Sequence, residues 1–161
     1  MARVLLAEDD DAVRDMLRTS LERDGFEVVA VANVCEALSR IATESFDVLL
    51  SDLHMPLAGD GFTVVSAMRH THPRAVTLVL SGYPELDEAL SAIRLQADEV
   101  LVKPIEIASL REIIRDKLSS VDFSQVLLDV MTIADEVDSQ LKQAMLSFVE
   151  PDPGATRSLA A

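Results

Sequence analysis

Three short apolar runs, RVLLA at 3–7, FDVLLS at 46–51 and VTLVL at 76–80, constrain this chain more than anything else in it. Each is strand-sized and shows no apolar–polar alternation, the pattern of parallel strands covered on both faces rather than of a sheet with one wet side. Two weaker runs, 26–31 and 99–102, complete a set of five. Between them the period changes to that of helices. Val13, Met16, Leu17 and Leu21 recur at helical spacing behind Asp10 and Asp11, either of which can cap the N-terminus, and Gly25 fits the left-handed residue that closes a helix. Further helices are expected over 34–42, 62–70, 84–95, with Pro84 in a first turn, and 105–118. Pro56, Gly59 and Gly61 make 54–61 a loop.

Five strands alternating with five helices imply an α/β fold: a parallel sheet wrapped on both faces through right-handed crossovers. Ligands in such sheets sit beyond the carboxyl ends of the strands. The residues there are Glu8 and Asp9 after the first strand, Asp52 after the third, Ser81 after the fourth and Lys103 after the fifth. Three carboxylates within about 5 Å repel by roughly 3 kcal/mol per pair at an effective dielectric near 20, so they call for a cation or for raised pKa values. A hard divalent ion, Mg²⁺, answers that need, because it takes oxygen ligands from one or two carboxylates and a phosphate. Lys103 adds a compact positive charge and Ser81 a donor for a phosphoryl oxygen. With the metal they would neutralise a phosphoryl group passing in line to a carboxylate, and Asp52, on the middle of the sheet, is the natural acceptor.

These motifs, taken in order, give the segment from Arg3 to Leu118 its resemblance to the receiver domain of bacterial two-component response regulators: Glu8-Asp9, Asp52 in SDLHMP, Ser81 in LSGYP, and Lys103-Pro104. The resemblance implies a flavodoxin-like, doubly wound sheet in strand order 2-1-3-4-5. It implies Asp52 as phosphoacceptor with Lys103 and Ser81 assisting, and Mg²⁺ held by Glu8, Asp9, Asp52 and the backbone carbonyl of His54. It also implies a cis peptide at Pro104 and a histidine kinase or histidine phosphotransfer protein as donor. Three features depart from the family pattern. The stretch PLAGDG at 56–61 is one residue longer than the family's usual form, and Glu8, in the first acid slot, lengthens the reach to the metal. Val100 stands where most receivers carry Tyr or Phe, so the motion of Ser81 toward the phosphoryl group must be relayed by other elements, such as Tyr83 or the surface of the helix at 84–95.

The rest of the chain narrows the classes further. No apolar run approaches the roughly 20 residues of a membrane span, and the opening MARVLLAEDD lacks the apolar stretch of a secretory signal, so a cytoplasmic location is expected. Cys35 is the only cysteine, which excludes an internal disulfide and a Cys-based metal site; on its helix it reads as a small buried hydrophobe. Fourteen Lys and Arg against 28 Asp and Glu give a net charge of −14, which disfavours direct nucleic-acid binding. The receiver should end at 118, followed by a linker at 119–121, a helical extension at 122–149 and a disordered tail at 150–161. The extension carries an apolar helical stripe with acids on its other faces, a docking or homodimerising helix if it does not fold back on the receiver. The leading expectation is a phosphoacceptor switch, not an enzyme beyond its own phosphorylation and dephosphorylation, that signals to an unidentified effector protein. A Mg²⁺-dependent phosphatase acting through an aspartyl phosphate would share the five site groups but need a cap and substrate pocket. A phosphorylation-independent scaffold would need only the extension.

Overall fold

The computed structural model describes residues 1–55, 60–82 and 97–149, with side chains over 1–55, 60–82, 97–121 and 127–146. It contains strands β1 (Arg3–Ala7), β2 (Glu27–Val31), β3 (Val48–Asp52), β4 (Val76–Ser81) and β5 (Glu99–Val102). Helices α1 (Asp11–Arg23), α2 (Val34–Thr43) and α3 (Asp60–Thr71) lie between strands, and α4 (Ile107–Val149) follows β5. All strands pair in parallel in the order β2-β1-β3-β4-β5, the doubly wound order the sequence implied. The helix expected at 84–95, Tyr83, the extra residue near Pro56 and the tail at 150–161 lie outside the described residues.

Each apolar strand feeds two cores. Leu5, Ala7, Leu49 and Val79 point to the face packed by Ala37, Ile41, Val64, Val65 and Met68 of α2 and α3. Val4, Leu6, Leu50, Leu78 and Leu80 point to the other, packed by Leu17 and Leu21 of α1 and Leu110 and Ile114 of α4. Burial on both faces explains why β1, β3 and β4 are largely apolar and lack alternation, with Ser51 and Thr77 as buried polar exceptions within them. Burying each such Leu or Val stabilises the fold by roughly 1.5–3 kcal/mol, less what a compact unfolded chain already hides.

Asp10 caps α1, its side chain accepting from Ala12 N at 2.9 Å and Val13 N at 3.0 Å. Gly25, at φ +91°, follows that helix. Helix α3 begins at Asp60, so Gly61, expected in the preceding loop, sits in its first turn. Cys35 lies on α2 as expected but is exposed: one face of that helix is buried, and it belongs to Ala37 and Ile41. His72, just past the end of α3, is half-buried with its ring edge-on to Phe46 at 6.3 Å between centroids.

The chain divides into two compact units, Met1–Val121 and Asp122–Ala161. Residues 119–121, expected as a joint, are helical. The Ser119 and Ser120 hydroxyls donate to the carbonyls of Arg115 and Asp116, each at 3.0 Å, so both serines satisfy their side chains without leaving the helix. In the second unit, the described side chains of 127–146 are exposed, among them Leu127, Val130, Ile133, Val137, Leu141 and Met145. Among the described residues no helix is long and apolar enough to cross a membrane.

Candidate functional site

The strands deliver their terminal residues to one edge of the sheet. In-register pairing sets Ala7 beside Ser51, Asp52 beside Leu80, and Ser81 beside Val102. The residues immediately beyond are therefore neighbours whatever their distance in sequence. Glu8 leaves β1 with its N–H donating to Val31 O at 3.1 Å, and Lys103 leaves β5 with its N–H donating to Ser81 O at 2.8 Å. The Lys103-Pro104 peptide is cis.

Glu8, Asp9 and Asp52 each offer a carboxylate oxygen, and the three oxygens lie within 4.8 Å of one another. Lys103 Nζ lies 2.8 Å from Glu8 Oε2 and 3.3 Å from Asp52 Oδ2. Glu8 is 1% exposed and Asp52 6%, whereas Asp9 is open to solvent. Ser81 is fully buried at the end of β4. The His54 N–H points at Asp52 Oδ1 from 3.4 Å, a long contact that turns the backbone after β3 around the carboxylate. The residues expected at the site that are described, Glu8, Asp9, Asp52, His54, Ser81 and Lys103, thus gather at one sheet edge. Val100 is half-buried on β5 and packs against the α2–α3 core.

Burial raises the Glu8 pKa and the charge of Asp52 adds to the rise, against the opposing hydrogen bond from Lys103. For Lys103, burial pulls the pKa down, but the hydrogen bond to Glu8 and the charges of Asp52 and Glu8 outweigh it and the net shift is upward. The lysine is therefore firmly cationic at neutral pH, partly offsetting three anions. The remaining excess of negative charge and an all-oxygen donor set suit a hard divalent cation, for which Glu8, Asp9 and Asp52 supply the carboxylates.

Two residues that matter here escaped the sequence reading. Arg14, a turn into α1, donates from Nη1 to the Glu8 carbonyl at 2.9 Å and pairs through Nη2 with Asp11, fixing the chain just before the acids. Its six-residue offset from Glu8 crosses a strand–helix turn, so no periodicity announces it. Gly61 is the other: a Cβ there would lie 2.3 Å from the carbonyl oxygen of Asp52 and 2.7 Å from Leu53 Cα. A glycine that follows two other loop breakers, Pro56 and Gly59, gave no sign that it seats a helix against the acceptor's own backbone. Beside Lys103 an apolar cavity of about 520 Å³ opens between α1 residues Val13, Met16 and Leu17 and the Pro104-Ile105 turn.

A doubly wound sheet with this acid and lysine cluster at its carboxyl edge defines the receiver class, and the family model of the response regulator receiver domain matches residues 4–115. The chain belongs to that family. It is 37% identical over 113 residues to the response regulator protein FleR of Pseudomonas aeruginosa, covering 70% of this chain and 24% of that protein. It is 33% identical over 155 residues to the transcriptional regulatory protein PrrA of Mycobacterium tuberculosis, covering 93% of this chain and 65% of PrrA. The chain thus spans about a quarter of FleR, as it does of PilR (26%) and AtoC (25%). Among solved structures, a CheY-like receiver domain protein of Methanospirillum hungatei superposes with a TM-score of 0.73 at 27% identity, over 77% of this chain and 98% of that one. A response regulator of Burkholderia pseudomallei, solved with a phosphorylated aspartic acid, a calcium ion and citrate, gives 0.68 at 28% identity over 79% and 74%. Residues 4–115 are thus a response regulator receiver domain of the two-component type.

Proposed function

We propose that the chain is a phosphorylation-dependent switch that accepts a phosphoryl group on Asp52 from a phosphohistidine donor, a histidine kinase or histidine phosphotransfer protein. The observation that carries this reading is the meeting of three carboxylate oxygens within 4.8 Å with a lysine 3.3 Å from Asp52. Asp52 attacks the phosphorus, a new O–P bond forms, the P–N bond to the donor breaks, and the imidazole leaves with the bond's electron pair. Lys103 neutralises charge on the transferring oxygens, and the Ser81 hydroxyl donates to one of them. Glu8, Asp9, Asp52 and the His54 carbonyl would hold Mg²⁺, which would supply Lewis-acid stabilisation of charge on the phosphoryl group. The Burkholderia pseudomallei relative, with its phosphorylated aspartic acid and calcium ion, supports the same pairing of acceptor and divalent ion.

The functional division is a receiver at 1–118, a linker at 119–121, an extension at 122–149 that self-associates, and a tail at 150–161. The switch runs through Ser81, Tyr83 and Val100. Because Val100 has no ring to swing inward, the change is carried by the segment 84–95 and its flanks to an effector protein in the cytoplasm. With a net charge of −14, output by protein contact is favoured over direct nucleic-acid binding. Catalysis is limited to the chain's own phosphorylation and dephosphorylation. The test is beryllofluoride with Mg²⁺, or a small phosphoryl donor, on the wild type and on Asp52→Asn. Added phosphoryl mass and altered spectra are expected in the wild type alone; an equal response from Asp52→Asn would remove the acceptor, and turnover of generic phosphate esters would recast the chain as a phosphatase.

A further inference from the structure

In the second unit the sequence spaces Leu127, Val130, Ala134, Val137, Leu141 and Ala144 alternately three and four residues apart, and Phe123 and Phe148 continue the spacing in sequence. This is the a/d repeat of a coiled-coil seam. All six inner positions are exposed. The helix has little of its own to hold it. Val130, Thr132, Ile133 and Val137 are β-branched, and among the described side chains of 127–146 the one ion pair is Lys142 with Asp138 at 2.7 Å. Such a helix draws its stability from covering its apolar face.

We infer that the face is covered by a second copy of the same helix running antiparallel, with the two-fold axis between Ala134 and Val137; this rests on the self-associating reading of the extension. The side-chain volumes carry the argument. Antiparallel pairing about that axis sets Leu127 against the partner's Ala144, Val130 against the partner's Leu141, and Ala134 against the partner's Val137, so each of these inner layers joins a smaller side chain to a larger one. Parallel pairing gives two layers of Ala on Ala, each leaving a void. It also puts Leu and Ala at a and Val and Ala at d, the reverse of the branched-a, Leu-d arrangement that favours parallel two-stranded coils. Charge does not oppose the contact, since Asp129, Asp135, Glu136 and Lys142 fall outside the a, d, e and g positions and Asp138 is the one acid at the flank. Opposed helix dipoles favour the same orientation.

The experiment uses the full chain with Cys35→Ser. Leu127→Cys and Ala144→Cys are made separately and oxidised alone and mixed, with sedimentation run in parallel. The expected result is twice the 17.5 kDa chain mass in solution and a disulfide that forms in the mixture at least tenfold more than in either variant alone. Leu141→Glu should convert the dimer to monomer while leaving Asp52 phosphorylation at the wild-type rate. Disulfides forming within each single variant would overturn the antiparallel arrangement and keep self-association. A monomer at high micromolar concentration would overturn both, without touching the receiver reading, and a trimer or tetramer would overturn the two-helix arrangement.

Discussion

Replacing Gly61 by alanine sets two effects of known sign against each other. Helix propensity alone favours alanine over glycine within a helix by about 1 kcal/mol. The new Cβ, however, would stand 2.3 Å from Asp52 O and 3.1 Å from Asp52 C, where ordinary contact begins at 3.4 Å. Something must therefore give by 1.1 Å, the difference of 3.4 and 2.3. The opposing atoms are backbone, held by the Gly61 N–H to Leu53 O bond at 3.1 Å and the Leu53 N–H to Leu80 O bond at 2.9 Å, so no rotamer relieves the clash. Overpacking costs about 1–3 kcal/mol, and because the atoms that must move are backbone the cost falls at the top of that range or above, so after the gain of about 1 kcal/mol in propensity the net expectation is a loss of about 2 kcal/mol or more. Urea unfolding of the metal-free protein reads it directly. Because the displaced atoms belong to Asp52, a shift near 1 Å should also slow phosphorylation by roughly 100-fold. Gly82→Ala is the control, since no atom of the described residues lies within 4 Å of a Cβ there. A Gly61→Ala protein as stable as the wild type and phosphorylated at its rate would refute the reasoning.

Asp9 and Asp10 are adjacent acids with separate duties. Asp10→Ala should cost about 1 kcal/mol of stability through its lost cap while Mg²⁺ still raises the melting temperature, whereas Asp9→Ala should leave stability near wild type and blunt the Mg²⁺ response in thermal shift. The pH dependence of the metal-free protein has a fixed sign. The Glu8 pKa is raised in the folded state, so the native state binds the proton more tightly, and its contribution, full below the unfolded value of 4.5, is lost as pH rises through the folded value. Lys103→Met leaves the buried Glu8 without its 2.8 Å partner and should steepen that decline; urea midpoints in EDTA between pH 5 and 8, the range being about that of ordinary protein stability maxima, check it. Equal slopes in the two proteins would show that Lys103 does not neutralise Glu8.

The sheet and most of its chemical edge were legible because one physical rule governs both. Strands buried on two faces are mainly apolar, so the polar residues at the ends of the runs mark where the strands leave the core, and those residues include the cluster around Asp52. Contacts set by backbone approach were not legible. The pressure of α3 on Asp52 depends on where that helix starts, and Asp60 rather than Phe62 begins it. The Ser119-Ser120 pair looks like a break in composition, yet both hydroxyls bond back within the helix. Cys35 failed for a related reason: its type suggests burial, but the facing of α2 is set by Ala37 and Ile41.

A strand that is apolar on both sides has no polarity alternation to tell it which residue faces which way, so sliding by one position would carry little hydrophobic penalty. In β3 that freedom is removed at the ends. Asp47 on one side accepts from the Arg3 N–H at 2.8 Å, and Asp52 on the other meets Lys103 at 3.3 Å. A slip in either direction would drag one of these carboxylates into the hydrocarbon interior, at a cost of several kcal/mol. The acid read here as a chemical group is thus also a stop that indexes the central strand.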